Sequence, residues 1–139
     1  MCGVQESKLS HSAESGVVAR GARAFVSIYR SAITFNQVHG GVAEEGACLR
    51  VFDCKLRNNK TSACSGCDPS SCLTLTRSIA TQSGKGVLIV SGASGQALEC
   101  SLEFNEEAAV TVQDPGLLND KASDMCRRWG IAFLLCAAR

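Results

Sequence analysis

Much that would identify a function is missing from this chain. It has one tryptophan, one tyrosine, two histidines and a formal net charge of +1 in 139 residues. Near-neutral charge leaves no electrostatic footprint for nucleic acid, and the sparse aromatics, never interleaved with basic residues, argue against a base-stacking platform. The basic pairs Arg20 and Arg23, and Arg127 and Arg128, read as solvated flanks. No apolar run is long enough to span a bilayer, and Met1 to Gly16 lacks the apolar core of a secretory signal. A cytoplasmic or nuclear protein is expected, in one domain large enough to bury a core without metals or disulfides.

Catalytic grammar is missing too. Ser83-Gly84-Lys85-Gly86 has a Gly-Lys pair but lacks the preceding strand, the glycine spacing and the hydroxyl residue of a phosphate loop. Ser91 and Ser94 do not form a nucleophile elbow. Glu99, Glu103, Glu106 and Glu107 fall on the water side of a strand or in a loop. Cys136-Ala137-Ala138-Arg139 ends in the wrong residue for prenylation and closes an apolar segment. The chain is expected to be no enzyme and to need no cofactor.

What is present is nine cysteines and a run of ordered local signals in the C-terminal half. In a reducing compartment the cysteines are expected as thiols or metal ligands. Cys48, Cys54, Cys100, Cys126 and Cys136 sit among apolar neighbours, where cysteine acts as a small hydrophobe. Cys64-Ser65-Gly66-Cys67, with Cys54 before and Cys72 after, is the sharpest motif. A C-x-x-C turn supplies two of the four soft ligands zinc needs, yet no second pair follows and His11 and His39 are distant. The expectation is a flexible Cys-rich loop insertion at 57–72, with a zinc- or thiol-dependent protein as the alternative.

Val87 to Val90 reads as a buried strand and Ser91 to Gly95 as a hairpin. In Ala97 to Phe104, apolar Leu98, Cys100, Leu102 and Phe104 alternate with polar residues, the mark of a half-buried antiparallel strand. Val110 and Val112 mark a third strand, ended at Asp114-Pro115-Gly116. Leu118, Ala122, Met125, Cys126 and Trp129 then lie at helical spacing, with Asn119 as cap, Asp120 and the arginines matched to the dipole, and Gly130 as stop. Ile131 to Cys136 follows as an apolar strand. Further upstream, Met1 to Ser15 is polar and expected as part of a disordered tail over 1–16. Ala24 to Phe35 fits helix or strand, with strand preferred, and Val38 to Gly46 reads as loop. The expected fold is α+β: one domain over 17–139, a mostly antiparallel sheet with one principal C-terminal helix on one face.

The segments Gly86 to Phe104, Ala109 to Val112 and Asp120 to Ala138, with Leu49 to Leu56 and Leu73 to Ile79 as earlier strands, resemble in order the proteasome assembly chaperone 4 family. Two departures are the loop Gly116-Leu117-Leu118-Asn119-Asp120, where the family has a Gly-Gly-Thr-Ser-Asp type, and the end at Arg139 where the family runs on. The resemblance implies a non-catalytic chaperone that pairs with a companion, proteasome assembly chaperone 3, and supports assembly of the proteasome α-ring without ATP. An unrelated heterodimeric β-scaffold is the other binding alternative. Candidate partner contacts are the Ser91, Gly92, Ala93, Ser94, Gly95 hairpin and the polar helix face with Lys121, Asp124 and Arg128; the alternative metal set is Cys54, Cys64, Cys67 and Cys72.

Overall fold

A computed structural model describes residues 1–113, 117–120 and 134–135. Among the described residues there is no helix. The chain winds instead as a parallel β-solenoid of about five coils, each contributing three short strands to three sheets. The first coil holds β1 (Cys2–Gln5), β2 (Lys8–Ser10) and β3 (Val17–Arg20). The second holds β4 (Phe25–Tyr29), β5 (Ala32–Thr34) and β6 (His39–Glu44), and the third β7 (Cys48–Phe52), β8 (Lys55–Arg57) and β9 (Ser62–Gly66). The fourth holds β10 (Cys72–Thr76), β11 (Ile79–Thr81) and β12 (Lys85–Ile89); β13 (Ser94–Leu98), β14 (Ser101–Glu103) and β15 (Ala108–Val112) make the fifth. β16 (Leu117–Asp120) and β17 (Leu134–Leu135) pair with β13 and β15.

Sheet A has the order β1-β4-β7-β10-β13-β16, sheet B β14-β11-β8-β5-β2, and sheet C β17-β15-β12-β9-β6-β3; every pairing is parallel. The repeat is short and slightly elastic. Leu49 lies 23 residues after its partner Val26, Leu73 24 after Leu49, and Gly95 22 after Leu73. Like therefore stacks on like. Ile28, Val51, Leu75 and Ala97 form one buried row of sheet A, and Ile33, Leu56, Ala80 and Leu102 the buried row of sheet B. No single coil encloses a core; burial comes from stacking coil on coil.

The sequence turns between sheets without glycine at most corners. Glu6, Arg30, Asp53, Arg77 and Glu99 take positive φ between sheets A and B, and His11, Phe35, Asn58, Gln82 and Phe104 do so between B and C. A residue in the left-handed region rotates the chain out of one sheet, so the next side chain can point inward. Those inward residues are Ser7, Ser31, Cys54, Ser78 and Cys100 at the first corner. Ser31 Oγ accepts from Ser7 N at 3.1 Å, and Ser78 Oγ accepts from Cys54 N at 3.1 Å. At the second corner Ser12, Asn36, Asn59, Ser83 and Asn105 form the equivalent ladder. Ser12 N donates to Asn36 Oδ1 (3.1 Å), Asn36 N to Asn59 Oδ1 (3.3 Å), Asn59 N to Ser83 Oγ (3.2 Å) and Ser83 N to Asn105 Oδ1 (3.1 Å). Corner amides, which no sheet can satisfy, are thus bonded inside the core.

This architecture corrects the α+β expectation. Ala97 to Phe104 is not one strand: the left-handed Glu99 splits it into β13 and β14, so Cys100 and Leu102 are buried while Phe104 is 61% exposed. Ser91 to Gly95 is no hairpin. Ser91 (φ 54°) and Gly92 (φ 82°) form a corner that carries the chain from sheet C to sheet A, and β13 runs parallel to its neighbours. Leu118 and Asn119, expected to start a helix, lie in β16. Ala122 to Gly130 lie outside the described residues, Trp129 included. Cys2–Gln5 and Lys8–Ser10, expected in a disordered tail, are strands, as are His39–Glu44 and, inside the expected loop insertion, Ser62–Gly66. Segment 24–35 is indeed strand, in two pieces.

Candidate functional site

Alternation puts one residue in two of each strand outside the solenoid, and parallel register then repeats that position on every coil. Sheet A's outer face carries the rows Phe25, Cys48, Cys72, Ser94; Ser27, Arg50, Thr74, Gln96; and Gln5, Tyr29, Phe52, Thr76, Leu98. Large side chains gather at its N-terminal half. Tyr29 and Phe52 stand with ring centroids 5.5 Å apart at 48°, in the tilted geometry aromatic quadrupoles favour. Arg50 Cζ sits 5.0 Å from the Phe25 centroid and Arg77 Cζ 4.3 Å from that of Phe52.

Two open clefts share this face. One, of about 410 Å³, is lined by Gln5, Phe25, Ser27, Tyr29 and Arg50 among others, and one of about 450 Å³ by Gln5, Tyr29, Arg30, Phe52 and Asp53. The adjoining corner alternates in charge up the coils: Glu6, Arg30, Asp53, Arg77, Glu99. Arg30 pairs with Glu6 at 2.6 Å, and Arg77 grips Asp53 through two bonds of 2.9 Å. Bonding to Asp53 raises the Arg77 pKa, with the charge of Glu99 adding to it. Among the described residues Arg50 makes no ion pair. It is an exposed residue whose guanidinium is held over a ring. The exposed rings of Phe35 and Phe104 form no comparable surface, because Asn58 and Gln82 separate them in their corner row.

A third cleft, of about 340 Å³, lies on the outer face of sheet C among Val18, Arg20, His39, Val42, Glu44 and Cys67. Arg20 Nη2 pairs with Glu44 at 2.5 Å. His39 Nδ1 is 2.7 Å from Ser62 Oγ, a base beside a hydroxyl, but Ser62 is fully buried and its oxygen is closed to a substrate. Burial lowers the His39 pKa; Glu44 opposes this and Lys85 adds to it. A histidine kept neutral by folding binds its proton more readily when unfolded. Its contribution is complete above the ordinary value of about 6.5 and is lost as pH falls through the lowered folded value. The urea midpoint should accordingly drop between pH 7.5 and 5.5, and His39→Gln should flatten that drop. An unchanged slope in the variant would place the titration elsewhere.

The residues singled out from sequence scatter. Cys54 faces the core at the A–B corner, Cys64 faces it from sheet C, Cys67 lies in the sheet C groove, and Cys72 is bonded to Cys48. No group of three or more metal-ligating side chains occurs among the described residues. The Cys48–Cys72 bond also corrects the expectation that every cysteine is a thiol or ligand. Burial raises the pKa of Cys54, Cys64, Cys67 and Cys100, the opposite of an activated nucleophile. Ser91, Gly92, Ala93, Ser94 and Gly95 form the corner and first residues of β13. Lys121, Asp124 and Arg128 lie outside the described residues.

Sequence reasoning missed Phe25, Tyr29, Arg50 and Phe52, although a signal existed. FVSIYRSAIT (25–34), CLRVFDCKLR (48–57), CLTLTRSIAT (72–81) and SGQALECSLE (94–103) share a charged sixth and a Ser or Cys seventh position. Aligning them exposes the repeat and the face. No family model, curated protein or solved structure matches the chain.

Proposed function

We propose that the chain is a non-catalytic binding scaffold. It presents the outer face of sheet A to a partner protein that sets an acidic side chain beside an apolar one. The carrying observation is Arg50: an exposed guanidinium without an ion pair among the described residues, fixed over Phe25 and bordered by Tyr29. Arginine and tyrosine concentrate binding energy at protein interfaces, and a cation already held by a ring loses less freedom on pairing. A rigid stack of coils supplies the pre-ordered surface such binding favours. The closed Ser62 hydroxyl and the raised thiol pKa values favour this reading over an enzymatic one.

The finer reading, a companion of proteasome assembly chaperone 3 acting on α subunits in the cytoplasm or nucleus, belongs to the same proposal. It rested on a strand-hairpin-strand order, and those segments occupy successive parallel coils here. The same experiment bears on it. Tagged chain is used to capture partners beside the variants Arg50→Glu and, on sheet B, Lys55→Glu. A partner bound through sheet A should be weakened roughly tenfold or more by Arg50→Glu and unaffected by Lys55→Glu. Equal retention by both variants would remove sheet A as the interface. Free proteasome α subunits among the Arg50-dependent partners would support the finer reading, and their absence would end it.

A further inference from the structure

Two cysteines, Cys48 and Cys72, occupy successive places in one outward row, an arrangement that no free cysteine of the described residues shares. Parallel pairing brings the Cα atoms of Cys48 and Cys72 to 4.6 Å, and their sulfurs are bonded. Both residues are half-buried, within reach of small molecules in solvent. The path of the chain is fixed independently of the bond. Cys48 N donates to Ala24 O and Cys72 N to Ala47 O, each at 2.9 Å, and the next residue in each strand, Leu49 or Leu73, is buried in the core. The fold holds the two sulfurs as neighbours whether or not they are joined. Cys54, Cys64 and Cys100, by contrast, are buried and unpaired.

We propose that Cys48 and Cys72 form a reversible dithiol–disulfide site on the outer face of sheet A, exchanging with low-molecular-weight thiols and disulfides of the glutathione class. In reduction, a glutathione thiolate attacks the sulfur of one cysteine, the Cys48–Cys72 bond breaks, and the other cysteine leaves as a thiolate that takes a proton. A second glutathione thiolate then displaces the first cysteine from the mixed disulfide, giving glutathione disulfide and the second protein thiol. Two electrons pass from two glutathiones to the protein, and oxidation reverses each step. The site depends on neither the partner nor the Arg50 contact. It also makes a bond between surface cysteines compatible with a reducing compartment, where the pair would stand open until an oxidant appears.

The test equilibrates the full chain in glutathione buffers of graded ratio, then traps free thiols with an alkylating mass tag. The bridged peptide pair containing Cys48 and Cys72 should fall and recover with the ratio, while the far-ultraviolet β-signal stays constant and Cys54, Cys64 and Cys100 take no tag without denaturant. The double variant Cys48→Ser, Cys72→Ser should keep that spectrum and lose the ratio-dependent change. A bond that persists at every ratio, a β-signal lost on reduction or in the double variant, or Cys48 bonded mainly to Cys2 or Cys67, would each overturn the proposal.

Discussion

Asn59→Ala should destabilise the protein by roughly 3–6 kcal/mol, because three buried polar groups lose their partner at once. Asn59 is fully buried. Its Oδ1 accepts from Asn36 Nδ2 at 2.9 Å and from Asn36 N at 3.3 Å, and its Nδ2 donates to Ile33 O at 3.1 Å. Alanine brings no replacement and leaves no route to solvent. Each buried group left unbonded costs about 1–3 kcal/mol, and the position lies between two coils, so the loss is felt on both. Asn59→Asp keeps the acceptor and loses the donor, at the expense of a buried carboxyl. A urea titration measures both variants. A shift below about 1 kcal/mol for alanine would mean that the ladder does not carry the corner.

Leu49→Ala is the second large effect, about 3–5 kcal/mol from lost burial and the cavity left behind. Its particular interest is Gly41, on sheet C directly across the interior. A Cβ built on Gly41 would meet Leu49 Cδ2 at 2.8 Å, so the leucine fills space the glycine vacates. Gly41→Ala alone is therefore overpacked and should cost about 1–3 kcal/mol. In the double variant the added methyl enters the cavity, and the combined loss should fall short of the sum by about 1 kcal/mol or more. Strict additivity would show that residues 41 and 49 are not opposed across one core.

The strands were legible wherever apolar residues recur at every second place. Val110 and Val112, read by alternation, and Val87 to Ile89, read as an apolar run, lie in strands; Leu49 and Val51, and Leu73 and Leu75, show the same alternation and lie in strands too. Their direction was not legible. A reader expects a reversal at glycine or asparagine, but most corners here are left-handed charged, polar or aromatic residues such as Arg30, Glu99 and Phe104. The pattern thus runs on through Glu99 as if the strand continued. Each coil is closed by partners 22 to 25 residues away, as in the bonds from Ser83 to Asn105 and from Asn105 Nδ2 to Ala80, which no local window captures. The buried ladders looked polar for the same reason: Asn36, Asn59 and Ser83 read as loop residues until neighbouring coils supply their partners. For the candidate site, Arg50 and Phe25 are 25 residues apart and meet only once the repeat is recognised.

Backbone amide and Hα nuclear Overhauser contacts in the labelled full chain test the solenoid most directly. Parallel stacking predicts that Leu73 shows inter-strand contacts to residues around Leu49 and around Gly95, and Ile89 to residues around Gly66 and Val112. Contacts that instead pair Val90 with Gln96 and Leu88 with Leu98, folding the chain back on itself about Ser91 to Gly95, would contradict it.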